Sequence, residues 1–179
     1  MNIMKYKTKL LFISIALLIL FSRQVSATKL IISPASGQYK VGDLIEIEVR
    51  TDTEGKDINA IDLTVLVPKL FEVKGVSKAG SSINIWVQEP SFTQDGAFFS
   101  GGFIGGIKLS DVLIGTIIIE AKAIGKADII AASSSVVVMN DGQGSFESLF
   151  MPENLFTIIP GKSVQGKAES SAHSKLSST

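Results

Sequence analysis

The chain has 179 residues, and its seventeen basic side chains balance seventeen acidic ones, so the formal net charge is zero. It contains no cysteine and one histidine. This composition excludes a disulfide framework and leaves too little histidine and thiol for a zinc centre or a histidine-dependent catalytic triad.

Residues 1–27 have the three parts of an export signal. Lys5, Lys7 and Lys9 supply the positive start, residues 10–21 form a short apolar segment, and small residues at 25–27 form a cleavage site that ends at Ala27. An uncleaved membrane anchor is the alternative, but a helix over residues 10–21 would span only ~18 Å of a hydrocarbon core of roughly 30 Å. We therefore predict cleavage after Ala27, a secreted or cell-surface protein, and no membrane span in the mature chain.

The other end of the chain changes composition. Residues 161–179 are rich in serine and poor in large apolar side chains, which is typical of a disordered tail or linker. Residues 28–160 then form one domain, with ten Lys and Arg against sixteen Asp and Glu, a difference of −6. Such an acidic domain is unsuited to nucleic acid or anionic lipid, since phosphate binding needs clustered cations.

Two segments early in the domain alternate with the period of a half-buried strand. In residues 44–51 the apolar positions are Ile45, Ile47 and Val49, and Glu46 and Glu48 lie on the opposite row, where solvated charge rather than glycosidase chemistry is predicted. In residues 58–67 the predicted inward row is Ile61, Leu63, Val65 and Val67, and the predicted outward row is Asp62, Thr64 and Leu66.

Further strands are predicted around residues 29–33, 71–76, 83–87, 97–100, 112–123, 127–131, 135–139 and 155–160, about nine or ten in all. A glycine-rich loop is predicted at 101–106. No helix is predicted after it, so it does not suit phosphate binding. Turn signals recur about every ten residues and no stretch has a helical period, which together favour an all-β sandwich.

Two features are candidates for binding. Asn140-Asp141-Gly142 resembles half of a calcium loop but also suits an ordinary hairpin turn, and we favour the turn while leaving calcium open. No other cofactor is predicted. Trp86 is followed by Phe92, Phe98, Phe99 and Phe103. Core packing is expected of the phenylalanines, and for Trp86 a core position and a sugar-stacking position stay equally open.

The order of these elements resembles the cohesin domain, in the divergent form found in small bacterial surface proteins. The resemblance covers residues 30–160 and is carried by Leu30-x-x-Ser33-Pro34-x-Ser36-Gly37, Val41-Gly42-Asp43, Asn59-Ala60, Pro68, Trp86, Phe99-Ser100-Gly101-Gly102, Gly115-Thr116-Ile117, Lys122-Ala123-x-Gly125-x-Ala127 and Ser135-Val136 with Asn140-Asp141-Gly142. It implies a nine-stranded jelly-roll β-sandwich, related in fold to cellulose-binding modules, without catalytic activity. It also implies a dockerin-like protein partner, bound through one sheet face in polysaccharide-degrading assemblies.

The chain departs from the cohesin pattern on the strand of residues 58–67. In typical cohesins the matching strand carries an asparagine, an aspartate two residues later and a closing Tyr-Asp-Pro. Here Asn59 matches, but Ile61 takes the place of the aspartate and Asp62 follows one step on. Because a one-residue offset turns a side chain to the other face, dockerin recognition of the usual kind is not implied.

The candidate partner-binding residues are therefore Asn59, Asp62, Thr64, Leu66 and Trp86. The leading interpretation is a non-catalytic module for protein–protein attachment. The alternative is direct carbohydrate binding, for which Trp86 would supply the stacking ring.

Overall fold

The computed structural model describes residues 27–161, and these contain strands and connecting turns but no helix. No membrane-spanning helix therefore occurs in this range. The apolar leader segment and most of the serine-rich tail, both interpreted from sequence, lie outside the described residues. The thirteen strands are β1 Lys29–Ser33, β2 Ser36–Lys40, β3 Leu44–Asp52, β4 Ile58–Leu66, β5 Phe71–Ser77, β6 Ile85–Thr93, β7 Gly96–Ile107, β8 Val112–Ala121, β9 Gly125–Ala127, β10 Ile130–Ala131, β11 Val136–Met139, β12 Phe146–Ser148 and β13 Leu155–Ile159.

Two sheets form the sandwich. The four-stranded sheet has the order β1-β3-β8-β5, and the six-stranded sheet has the order β12-β11-β4-β7-β6, with β10 paired to β4. Their strand pairs are antiparallel. The predicted all-β sandwich is confirmed. Short pairings at the sheet edges, such as β10 and β12, bring the number of strands above the nine expected.

The core lies between the two sheets and comes from the alternating rows that the sequence predicts. Ile47 of β3 pairs with Ile117 of β8, and both are almost fully buried. From the facing sheet, Leu63 of β4 and Phe99 of β7 are opposite one another and equally buried. Opposite rows of the same strands face outward, since successive side chains of a strand alternate.

A small third sheet, β2-β13-β9, closes one end of the sandwich. β13 runs parallel to β2 and antiparallel to β9. Its Phe156 is buried, with its ring 6.1 Å from that of Tyr39 and 5.9 Å from that of Phe71, where the two rings meet edge to face. Phe156 thereby joins the third sheet to the main core.

Two sequence predictions about the middle of the chain were wrong in their boundaries. The glycine run at 101–106 belongs to strand β7 rather than to a loop, and the strand that contains Trp86 runs from Ile85 to Thr93. At Gly101 a Cβ atom would lie 2.5 Å from Ile83 Cγ2 and 2.7 Å from the Ile85 carbonyl oxygen. The glycine is thus explained by the close approach of the neighbouring chain.

Candidate functional site

The outer face of the six-stranded sheet is the candidate site, and strand β4 lies at its centre. The inward prediction is confirmed for β4 and for the residue after it: Ile61, Leu63, Val65 and Val67 are at most 3% exposed. On the opposite row, Asp62 is exposed, Thr64 is half-buried and Leu66 is 40% exposed. Asn59, at the start of the strand, is exposed.

Strand register arranges the outer face into rows that cross the sheet. One row is apolar and runs, from strand to strand, through Phe146, Val138, Ala60, Gly102 and Ile85. Its two ends are bulky and exposed, Phe146 at 73% and Ile85 at 54%. Its middle is formed by alanine and glycine, which leaves a trough over β4 and β7.

The next row along the strands is polar. It contains Ser148, Val136, Asp62, Ser100 and Gln88, in the order of the strands. A small hollow of about 120 Å³ opens here, lined by Asp62, Gln88, Glu89, Phe98, Phe99 and Ser100. Rows on one face repeat about every 7 Å along a strand, so this polar row lies directly beside the apolar trough.

The far end of the face is apolar again. Leu66 is opposite Gly96 on one side and Ile130 on the other. Ile130 is 52% exposed, and no side chain stands on Gly96 to cover Leu66. Leu66 therefore contributes accessible apolar surface.

The charges of the two sheets differ sharply. The strands of the six-stranded sheet and β10 contain no lysine or arginine, and their acidic residues are Asp62, Glu89 and Glu147. The outer face of the four-stranded sheet instead carries several ion pairs, including Arg50 Nε with Asp111 Oδ1 at 2.5 Å and Lys74 Nζ with Glu120 Oε2 at 2.9 Å. One outer face thus has apolar rows and a central carboxylate without cations on its strands, and the other has paired charges of both signs beside the exposed Leu44.

Trp86 is half-buried and packs against the core. It is opposite Gly101, which belongs to the inward row of β7, whereas its neighbours Ile85 and Val87 are exposed at 54% and 77%. The indole ring is therefore on the inner side of an edge strand. Of the phenylalanines expected in the core, Phe99 and Phe103 are buried, Phe98 is half-buried on the outer face, and Phe92 is 46% exposed.

Asn140 and Asp141 are both engaged in hydrogen bonds, Asn140 with the turn before β4 and Asp141 within its own loop. Asn140 Nδ2 donates to Asp57 Oδ2 at 3.1 Å, and Asp141 Oδ1 accepts the backbone N–H groups of Gln143 and Gly144 at 2.8 and 2.9 Å. Hydrogen bonds from Ser145, and then from the backbone of Gln143, lower the pKa of Asp141 below its ordinary value. No group of three or more potential metal ligands occurs among residues 27–161. This arrangement is a hairpin turn between β11 and β12, and the carboxylate holds the turn together.

The residues at the ends of the apolar row were not predicted from the sequence. Phe146 lies in a strand of only three residues, too short to show a period, and Ile85 lies on the exposed row of a strand whose outward side is not evident from its sequence. Ile85 can be assigned to the outer face only when its pairing with Gly102 of β7 is known, and the sequence does not show this pairing.

A larger hollow of about 610 Å³ lies elsewhere, at the edge between β5 and the turn after β6, and is lined mainly by polar and charged residues such as Lys69, Gln94 and Lys122.

These features define a β-sandwich with one apolar, acidic sheet face and one charge-paired face, and the fold is that of cohesin domains. A non-cellulosomal cohesin from the archaeon Archaeoglobus fulgidus superimposes with a TM-score of 0.59 and 16% identity, over 75% of this chain and 92% of that one. The third ScaB cohesin of R. flavefaciens, solved with a group 1 dockerin, gives 0.56 and 15% identity, over 76% and 99% of the two chains. A Clostridium thermocellum OlpC cohesin, also solved with a dockerin, gives 0.58 and 13% identity, over 74% and 93%.

No protein-family model and no curated protein sequence matches the chain. The likeness to cohesins therefore lies in the fold and in the order of the strands, as the sequence resemblance predicts.

Proposed function

We propose that this protein is an exported, non-catalytic attachment module that binds a dockerin-like protein partner on the outer face of its six-stranded sheet. The observation that carries the proposal is the contrast between the two sheets. One outer face exposes Leu66, Ile85 and Phe146 and has no cation on its strands, whereas the other outer face carries several ion pairs beside the exposed Leu44. Apolar surface that is poor in paired charge is the composition of an interface core.

The charge of the face indicates the chemistry of the partner. Asp62 is at the centre of the polar row, and Glu89 lines the same hollow. Glu89 is already paired with Lys78 at 2.6 Å, which leaves Asp62 as the central carboxylate for an incoming group. A partner helix with apolar side chains flanked by lysine or arginine would complement both the trough and the carboxylate. The two bacterial cohesins with dockerins described above support a partner of this kind.

Each candidate residue has a distinct place in this proposal. Leu66 supplies apolar contact and Asp62 supplies charge. Asn59 lies next to Ala60 of the trough, Thr64 lies between Asp62 and Leu66, and both can form hydrogen bonds. Trp86 has a supporting role, because its ring packs against the core while the neighbouring Ile85 is exposed on the outer face. That position does not favour the carbohydrate-binding alternative, since stacking on sugar requires an open ring face.

A binding measurement with matched leucine variants tests the proposal. The mature chain is titrated calorimetrically with a panel of purified dockerin modules, and Leu66→Ala is compared with Leu44→Ala. Leu44 is 66% exposed on the outer face of the other sheet, so it controls for the loss of exposed apolar surface in general. We expect Leu66→Ala to weaken binding by about tenfold or more, roughly 1.4 kcal/mol, and Leu44→Ala to leave it unchanged.

Stability must be measured in parallel to separate binding from folding. Leu66→Ala should leave the free energy of unfolding nearly unchanged, whereas Leu63→Ala, at a position 1% exposed, should lower it by about 2 to 4 kcal/mol. Loss of binding in Leu44→Ala but not in Leu66→Ala would contradict the assignment of the face. Adsorption to insoluble polysaccharide that disappears in Trp86→Ala would support the carbohydrate alternative instead.

A further inference from the structure

Thr28, the first residue after the predicted cleavage site, is built into the folded domain. It is fully buried. Its backbone N–H donates to Glu147 Oε1 at 3.1 Å, and its carbonyl oxygen accepts the backbone N–H of Phe150 at 2.9 Å. The same Glu147 oxygen is ion-paired with Lys56. The backbone nitrogen of Thr28 therefore lies against a carboxylate that is only 23% exposed.

Two buried threonine hydroxyl groups belong to the same corner of the domain. Thr28 Oγ1 and Thr53 Oγ1 are buried, and neither has a hydrogen-bond partner among the described residues. Lys29 is paired with Asp52 between β1 and β3, so Thr53 continues that strand pair opposite Thr28. Buried polar atoms without a hydrogen-bond partner are uncommon in folded proteins, so this corner has hydrogen-bonding capacity that the described residues leave unused.

We propose that the Ala27–Thr28 bond is the maturation site of this protein and that Glu147 holds the α-ammonium group released at Thr28. A leader peptidase acting in trans adds water across the bond. The Ala27 carbonyl leaves with the leader as a carboxylate, and the Thr28 nitrogen becomes an amine that takes up a proton. An α-amino group has a pKa near 8, so it is predominantly an ammonium ion at neutral pH.

The ammonium fits this corner better than the amide does. It carries three N–H donors instead of one, and its hydrogen bond to the Glu147 carboxylate becomes an ion pair in which both partners are charged. The additional donors become available at the corner that contains the unpartnered Thr28 Oγ1 and Thr53 Oγ1. The bond must be cut before folding, because in the folded domain Thr28 is buried and both its backbone groups are bonded.

Two experiments test the proposal, and neither depends on partner binding. First, the full chain is expressed in an exporting bacterial host, and the intact mass of the secreted protein is measured; we expect Thr28 as the first residue. Second, two chains are released from cleavable fusions, one beginning at Thr28 and one at Ala27, each with Glu147 and with Glu147→Gln. Glutamine keeps the acceptor oxygen and removes the charge, and its effect on Lys56 is the same in both chains.

With Glu147 present, the chain that begins at Thr28 should melt about 2–4 °C higher than the chain that begins at Ala27. In the Glu147→Gln pair this difference should disappear. A secreted protein that starts at another residue, or that retains its leader, overturns the proposal. So does an equal melting temperature of the two Glu147 chains, or a difference that Glu147→Gln leaves unchanged.

Discussion

Gly115 of β8 marks a point where the two sheets of the sandwich meet without room for a side chain. A Cβ atom on Gly115 would lie 2.5 Å from Cε1 of the buried Phe99 and 2.9 Å from the Ser77 carbonyl oxygen. Gly115→Ala should therefore overpack the core and lower the free energy of unfolding by about 1–3 kcal/mol. Urea denaturation followed by tryptophan fluorescence measures this change through Trp86.

Gly75 is the matched control in the neighbouring strand of the same sheet. A Cβ atom there would meet Ile118 Cδ1 at 3.9 Å, which is ordinary van der Waals contact. Gly75→Ala should be neutral or stabilise the protein by up to about 1 kcal/mol, because alanine restricts the unfolded chain more than glycine does. If both variants lose stability equally, the close approach at Gly115 does not limit the packing of this core.

The four-stranded sheet is fastened at its edge by a cluster of four charges on β5 and at the end of β8. Lys74 Nζ lies 2.8 Å from Glu72 Oε2 and 2.9 Å from Glu120 Oε2, and Lys122 Nζ lies 3.4 and 3.3 Å from the same two side chains. The hydrogen bond from Lys74, supported by the charge of Lys122, holds the pKa of Glu72 and of Glu120 below the ordinary 4.5.

Replacement of Lys74 should change how stability depends on pH. Because the two carboxyl groups have a lower pKa in the folded state, their stabilising effect is complete above about pH 4.5 and is lost as the pH falls through the folded pKa. Lys74→Ala should raise both pKa values and reduce the loss of stability in acid. NMR titration of the Glu72 and Glu120 carboxyl carbons measures the pKa values directly.

Salt provides the control for this cluster, since exposed ion pairs are screened. At high ionic strength the acid profiles of the wild type and of Lys74→Ala should converge. An unchanged pKa of Glu72 in Lys74→Ala would show that Lys122 alone sets it.

Strands were predictable from sequence where side chains alternate over a long enough stretch. β3 and β4 have nine residues each, and their buried and exposed rows follow from the alternation of apolar and polar residues. β10 and β12 have two and three residues, and only pairing with a neighbour makes them strands. The glycine run of β7 has the sequence character of a loop. Gly101 is required by the close approach of the chain at Ile83 and Ile85, and this contact is not visible in the sequence.

The site was predictable only in part for the same physical reason. The alternation along β4 predicts that Leu66 faces outward, and its exposure confirms this prediction. The row that joins Phe146 to Ile85 spans five strands, and its existence depends on the register of each pair. Trp86 is a candidate by its residue type, but the residue type does not show on which side of an edge strand the ring lies.

At the scale of the whole molecule, the last strand of the domain pairs with a strand near its beginning. β13 lies between β2 and β9, and its Phe156 and Ile158 are almost fully buried. The N–H of Leu155 donates to the Ala35 carbonyl oxygen, and the Ile159 carbonyl oxygen accepts the N–H of Val41. Since parallel pairing of distant segments is slow and depends on the rest of the core, the sandwich should not close until β13 has been made.

Two truncated chains test this dependence, both beginning at Thr28. The chain that ends at Gly161 keeps β13 and should melt cooperatively at the temperature of the mature full-length chain. The chain that ends at Asn154 lacks β13, which exposes the ring of Phe71 and leaves β2 without its partner. It should lose the cooperative transition and bind a hydrophobic dye, as expected of a collapsed chain without fixed packing. Phe156→Ala in the full chain separates the ring from the strand and should cost about 3–5 kcal/mol while the transition stays cooperative. If the chain ending at Asn154 melts like the chain ending at Gly161, β13 is an appendage, and the two main sheets form the folding unit without it.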